Sequence, residues 1–287
     1  MTHVSRRELL TGAALMIGGA TFSPAVASGI QSRVVKGRLK QSVSRWPFRS
    51  IAMPEFCRAC ADMGLTAIDL LEEPEWGVVR QYGLVCSMGY AGGGSIPDGL
   101  NVRANHAAII GNFAKLIPRA AAEKVPNVIT FFGNRRGMSD EEGIANSVDG
   151  LNRVKKIAED HGVTICIELL NSKIDHKDYH GDRTAYGAAI VKAVASPRVK
   201  LLYDIYHMQI MEGDVIRTIR DNRELIAHFH TGGVPGRNEI DEGQELNYRS
   251  VAKAIVETGF TGYLAHEFRP TRDPLASLRE AIAICDV

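Results

Sequence analysis

Eight short apolar runs alternate with longer amphipathic stretches along the chain, and this alternation limits the fold more than any other feature. The runs are Leu39–Ser44, Thr66–Leu71, Leu84–Met88, Asn127–Phe132, Val163–Leu169, Val199–Ile205, Leu225–His230 and Gly262–Phe268. They are rich in Val, Ile, Leu, Phe and Tyr, as strands covered on both faces must be. Helical patterns lie between them, over Glu55–Met63, Val102–Glu123, Asp140–Asp160, Ala185–Ala195, Gly213–Asn222, Tyr248–Thr258 and Pro274–Ile284. Pro54 opens the first, and Gly64, Gly162 and Gly259 follow helical runs as stop signals. Strands that alternate with helices form a parallel sheet, and eight is the number that closes a barrel. The expected fold is therefore α/β, a single (β/α)8 TIM barrel over residues 39–287. A doubly wound open sheet is the alternative. It calls for a G-x-G-x-x-G turn after the first strand, and the sequence has none there.

Composition removes other classes. With 45% hydrophobic and 23% charged residues in 287, the chain is neither disordered nor collagen-like. Lys and Arg number 34 against 33 Asp and Glu, so nothing in the charge points to nucleic acid. Five cysteines, an odd number, argue against a paired disulfide framework. Cys57-Arg58-Ala59-Cys60 falls inside the first helical pattern and reads as two packed cysteines rather than a redox pair.

Residues 1–27 read as an export signal rather than as fold. Ser5-Arg6-Arg7-Glu8-Leu9-Leu10 precedes a short apolar run from Ala13 to Phe22, and Ala25-Val26-Ala27 supplies an A-x-A cleavage pattern. The paired arginines resemble the twin-arginine signal of bacteria, which implies a periplasmic or secreted protein. The run is too short and Gly-rich for a stable membrane anchor, which needs about 20 apolar residues. Residues 28–38 read as a linker. Removing the signal takes away Arg6, Arg7 and Glu8 and leaves 32 basic and 32 acidic residues.

In a barrel, chemistry collects where the strands end at their C-terminal side. Four consecutive ends carry Glu168, Asp204, His230 and Glu267. Three carboxylates and an imidazole on one rim repel one another or stay desolvated without a cation. The oxygen-rich set suits one divalent cation, Mn²⁺, Mg²⁺ or Co²⁺, better than a thiolate-type zinc site. Other features read more weakly. Gly89–Gly99 is expected to be a mobile strand-to-helix loop, and Asn171–Asp182 a loop overhanging the mouth, with His176 and His180 near substrate. Glu72 and Glu73 are placed at the pocket edge, and His228 and His266 as core groups pointing away from the four.

The motifs Glu168-Leu169-Leu170-Asn171, Tyr203-Asp204-Ile205-Tyr206-His207, Gly232-Gly233-Val234-Pro235-Gly236-Arg237-Asn238-Glu239 and His266-Glu267-Phe268 are specific in their order. Through them the chain, from about Leu39 to its end, resembles the hydroxypyruvate isomerase branch of the xylose-isomerase-like barrel superfamily. The resemblance implies that the four residues hold a metal and that Glu168 and Glu267 also move the substrate proton. His230 stands where some bacterial hydroxypyruvate isomerases carry Gln and ketose 3-epimerases carry His. The implied reaction interconverts hydroxypyruvate and 2-hydroxy-3-oxopropanoate through an enediolate. A ketose 3-epimerase or other sugar isomerase is the alternative. A non-catalytic exported carbohydrate-binding barrel is a third class, and a repair endonuclease on the same fold is disfavoured by the neutral charge. The implied substrate carries a carboxylate, and Arg237 is the candidate to grip it, unless it bridges to Glu239 or Asp241. His207 is a candidate for a substrate oxygen, or else a packing group at a helix start. The expected partner is a small-molecule substrate, with no nucleic acid and no stable membrane anchor; a homo-oligomer is left open.

Overall fold

A computed structural model of the chain describes residues 36–287. The expected export signal, residues 1–27, and most of the expected linker lie outside these residues. Every strand pairing is parallel. In chain order the strands are β1 Lys40–Ser44, β2 Ala67–Asp69, β3 Val85–Cys86, β4 Gly89–Gly93, β5 Asn127–Phe131, β6 Thr164–Leu169, β7 Val199–Asp204, β8 Ile226–Thr231 and β9 Tyr263–His266. The sheet runs β3-β2-β1-β9-β8-β7-β6-β5-β4. Its two ends, β3 and β4, are successive pieces of one extended segment, and a parallel bridge from Leu71 to Gly89 joins them to the β2 side. The barrel thus has eight staves, the third one broken. The open-sheet alternative is excluded by this closure.

The helices are α1 Met53–Asp62, α2 Glu73–Arg80, α3 His106–Ala122, α4 Asp140–Asn152, α5 Lys155–His161, α6 Thr184–Val194, α7 Ile205–Met211, α8 Val215–Asp221, α9 Tyr248–Glu257 and α10 Pro274–Cys285. All six residues of β6 are buried, as expected of a strand covered by helices outside and side chains inside. The five cysteines are buried and unpaired, Cys57 and Cys60 among them on the core-facing side of α1.

Three expectations need correction. Gly89–Gly93 is a strand, not a mobile loop. At Gly93 a side chain would run into the Ile129 carbonyl oxygen and the Phe113 ring, so glycine is what lets β4 close on β5. The pattern Asp140–Asp160 is two helices, with Val154 turned into the core at the break. Glu72 and Glu73 do not reach the pocket. Glu72 caps α2, a helix the apolar pattern does not show: its side chain takes the backbone of Glu75, whose carboxylate answers to the Glu72 N–H at 3.0 Å. Glu73 pairs with Arg119 at 2.7 Å on the surface. Among the described residues no helix is long and apolar enough to cross a membrane.

Candidate active site

Glu168 lies in β6, Asp204 ends β7, His230 lies near the end of β8, and Glu267 follows β9 directly. The pleat turns these side chains inward at one end of the barrel. All four are buried, and one ligand atom from each lies within 4.8 Å of the others. His230 Nδ1 is 2.6 Å from Glu267 Oε2, 3.2 Å from Glu168 Oε1 and 3.9 Å from Asp204 Oδ2. Asp204 has a second task. Its side chain accepts the His207 backbone N–H at 3.3 Å and so caps α7, which starts at the very next residue.

Arg237 enters the same cluster from the loop after β8. Its Nη2 donates to Asp204 Oδ2 at 2.9 Å and to Glu267 Oε2 at 2.5 Å, and its Nε donates to the Glu267 carbonyl at 3.2 Å. It bridges to neither Glu239 nor Asp241, which engage Arg272 instead. His207 is fully buried behind Arg237. Its Nδ1 accepts from the Asn171 side-chain N–H at 2.6 Å, since the Asn171 side-chain oxygen Oδ1 is identified by the N–H groups of Ile174 and Asp175 that donate to it. Nε2 therefore carries the hydrogen and faces Asp204 at 3.5 Å. Burial, and next to it the Arg237 charge, hold His207 well below the ordinary imidazole range, so it stays neutral.

The charges fit a cation. Three carboxylates face one guanidinium, which leaves two negative charges while His230 is neutral. Burial pushes Glu168 and Asp204 up from ordinary carboxylate values. Burial acts on Glu267 as well, but the Arg237 guanidinium and His230 outweigh it and hold it low. His230 is drawn the other way. Burial disfavours its charge, yet Glu267, Asp69 and Glu168 together raise it well above the usual imidazole value. A pocket that draws a proton onto an imidazole this strongly has the field to hold a divalent ion, and its oxygen and nitrogen donors suit one.

Sequence reasoning missed two residues here. Asp69, at the end of β2, is fully buried and meets the far side of His230, with Nε2 2.9 Å from its carboxylate. The Ser87 hydroxyl donates to the same carboxylate at 2.5 Å, and His228 Nε2 lies 3.2 Å away. His228 thus does not point away from the four. It stands two residues before His230, so the strand period puts both rings on one side, 5.2 Å apart. His266, next to Glu267, does face the other way, between Gln41 and Thr231. The second missed residue is Trp46, whose indole N–H donates to Glu267 Oε1 at 2.5 Å. An inward acid on β2 was a legible signal; a tryptophan in a 3-10 turn after β1 was not.

A cavity of about 330 Å³ opens over the cluster, walled by Trp46, Tyr90, Phe131, His176 and Arg269 together with Glu168, Arg237 and Glu267. Its volume is at the small end for a ligand site and suits a metabolite of a few carbons. His176 and Asp175 come from the Asn171–Asp182 loop, which overhangs the mouth as expected. Tyr179 pins that loop: its hydroxyl donates to the Glu168 carbonyl at 2.8 Å and accepts the Phe132 N–H at 2.9 Å. His180 does not reach the cavity; it is buried against Asn101 and Asp140. A larger hollow, about 560 Å³, lies at the opposite end of the barrel and contains none of these residues.

The model of the xylose isomerase-like TIM barrel family matches residues 57–286, and the chain belongs to that family. It is 35% identical over 134 residues to the 2-oxo-tetronate isomerase of Cupriavidus necator, covering 47% of this chain and 51% of that one. It is 29% identical over 143 residues to the hydroxypyruvate isomerase of Escherichia coli, covering 50% and 55%. These matches span about half the length of those relatives. Among solved structures, an AP endonuclease, family 2, from Brucella melitensis superposes with a TM-score of 0.76 at 21% identity, over 84% of this chain and 97% of that one. At that identity the likeness concerns the fold.

Proposed function

We propose that this member of the xylose isomerase-like TIM barrel family is a metal-dependent isomerase of small hydroxy acids or sugars, acting on hydroxypyruvate or a close 2-oxo acid. The observation that carries this reading is the convergence of Glu168, Asp204, His230 and Glu267 under a cavity of metabolite size. The similarity to isomerases of hydroxypyruvate and 2-oxo-tetronate supports the substrate class.

These four residues would hold one divalent cation, Mn²⁺, Mg²⁺ or Co²⁺. When bound, it supplies Lewis-acid polarisation of a substrate carbonyl. The remaining work falls to the chain. One of Glu168 and Glu267 takes the proton from the hydroxyl-bearing carbon beside the carbonyl, which leaves an enediolate; the same or the opposite carboxylate returns a proton to the former carbonyl carbon, while the hydroxyl proton passes to the former carbonyl oxygen and the new carbonyl forms. The two glutamates sit in different fields. Burial keeps Glu168 ready to hold a proton, whereas Arg237 and Trp46 hold Glu267 ionised. Such a split is how a pair of carboxylates divides acid and base roles. His207, expected to meet a substrate oxygen, is instead buried behind Arg237 and off the cavity wall, where it steadies Asp204 and Asn171. Trp46, Tyr90 and Phe131 exclude water from the reacting carbon.

The test is to incubate the metal-loaded protein with hydroxypyruvate and a panel of ketoses in D₂O and to read products and deuterium by NMR. Formation of 2-hydroxy-3-oxopropanoate with deuterium at the exchanged carbon is expected. Turnover of ketoses with exchange at C3, and none of hydroxypyruvate, would replace this reading by the ketose 3-epimerase. Metal binding with exchange on no compound would leave the non-catalytic carbohydrate-binding barrel.

Export belongs to the same proposal. Residues 1–27 direct the folded protein through the twin-arginine route and are then removed. Intact mass of periplasmic material tests this: the whole-chain mass there, or retention in the cytoplasm, would contradict it.

A further inference from the structure

The geometry points to Arg269, and not Arg237, as the residue that takes a substrate carboxylate, which makes the site one for small 2-oxo or 2-hydroxy acids rather than neutral sugars. This inference rests on the isomerase reading for the reaction, and on the cavity alone for the binding.

Arg237 has no free edge. A bidentate grip on a carboxylate uses Nη2 together with Nε or Nη1. Both Nη2 hydrogens go to Asp204 and Glu267 and Nε goes to the Glu267 carbonyl, so each bidentate edge has lost at least one of its two donors. Arg269 differs in each respect. It follows Glu267 by two residues, lines the cavity and is exposed at its rim. Its side chain makes no hydrogen bond or ion pair with any described residue; only its backbone N–H is engaged, by the Arg237 carbonyl. Its guanidinium is nonetheless held in place, because it lies 5.5 Å from the centre of the Trp46 ring. Arg237 lies 5.5 Å from the same ring. Two guanidinium groups thus share one indole, and only one of them has anions of its own.

The other charged groups at the cavity leave the same vacancy for an anion. Glu168 and Glu267 face His230 and Arg237. Asp175 is taken by the Tyr206 hydroxyl at 2.8 Å and the Asn171 amide at 2.6 Å. His176, driven down first by burial and then by the Arg237 charge, brings no cation. A substrate with its carbonyl end over Glu168 and Glu267 and a carboxylate at the Trp46 wall satisfies Arg269. A neutral ketose puts a hydroxymethyl group there and leaves the arginine to water.

Hydroxypyruvate and dihydroxyacetone differ only in that carboxylate and hydroxymethyl group, so the pair isolates the contact. The measurement compares kcat and KM for both compounds in the full chain and in Arg269→Ala and Arg269→Lys, with calorimetric titration of D-glycerate into each protein. Hydrogen bonds to charged groups are worth enough for a change of roughly tenfold or more. The expected result is a fall of at least tenfold in the kcat/KM ratio of hydroxypyruvate over dihydroxyacetone in Arg269→Ala, carried by KM. Partial recovery in Arg269→Lys and a matching loss of D-glycerate affinity should accompany it. A ratio and a glycerate affinity within threefold of the parent would overturn the assignment while leaving the isomerase reading standing. Failure of the parent to turn over either compound would remove that reading instead, and the glycerate titration would then decide alone. A parent that binds no glycerate contradicts the inference.

Discussion

His230 Nε2 lies 2.9 Å from the Asp69 carboxylate, while Nδ1 of the same ring lies 2.6 Å from Glu267. One imidazole therefore joins the acid on β2 to the cluster on β6–β9. With Asp69 on Nε2, that nitrogen carries a hydrogen, and a cation that displaces the proton from Nδ1 would meet the Nδ1 lone pair at the centre. Carboxylates behind metal-bound histidines act in this way, by fixing ring orientation and raising basicity.

Asp69→Asn keeps the size and one acceptor oxygen but removes the charge. It should weaken divalent-metal affinity about 10- to 100-fold, and Asp69→Ala should weaken it more. Competition against a chromogenic chelator measures this. Equal affinity in Asp69→Ala and the parent would mean that the aspartate only fills space beside Ser87.

The barrel was legible because its strands are covered on both faces, which leaves a contiguous apolar signature for β5, β6, β7 and β8. The first half of the third stave was legible as Leu84–Met88, but its second half was not, because Gly89–Gly93 carries three glycines and an alanine and so lacks that signature. α2 was hidden because its eight residues hold only three apolar ones near a polar capping box. At the site, the four strand-end groups were legible from position alone. What could not be read was who partners whom. The placement of Asp69 behind His230, and the presence of Trp46 beneath two arginines, depend on closure of β1 against both β2 and β9. The side on which His228 falls was readable, since residues 228 and 230 share a face in any strand.

Trp46→Phe retains a ring beneath Arg237 and Arg269 and deletes the N–H that meets Glu267. Turnover should drop by about tenfold, the scale of one hydrogen bond to a charged group, with a smaller change in KM. Steady-state kinetics of the variant check the split. A change confined to KM would place the indole in substrate packing rather than in control of the carboxylate.

Gly233→Ala probes the loop that carries Arg237. A side chain at 233 would overlap the Glu239 carbonyl oxygen, and the backbone there is held by the bond from the Gly233 N–H to the Asn238 carbonyl at 2.9 Å. Overpacking of this kind costs about 1–3 kcal/mol. Chemical denaturation should show that loss, and turnover should fall with it because Arg237 shifts. A variant of parental stability would show that the loop gives way easily.

Glu239 makes the protein acid-sensitive. Burial pushes its carboxyl up, but the Thr271 N–H at 2.8 Å, the Thr271 hydroxyl at 2.9 Å and the Ser277 hydroxyl at 2.9 Å prevail and bring it to about 2. A carboxylate lowered by folding adds stability that is complete above its unfolded value of about 4.3 and disappears as pH falls toward the folded one. Melting temperature against pH should therefore fall between about pH 4.5 and 2, and Glu239→Gln should flatten that fall. Identical slopes would show that Thr271 and Ser277 bind the acid and its conjugate base alike.

Hydrogen–deuterium exchange at C3 of hydroxypyruvate tests the central claim most directly, when measured in the metal-loaded parent, Glu168→Gln and Glu267→Gln with metal content determined for each. Both variants keep side-chain size and one oxygen for a cation. If the glutamates move the proton, exchange should fall about 10²- to 10⁴-fold in at least one of them while most of the metal remains bound. Exchange at the parental rate in both variants, with metal in place, would contradict the account.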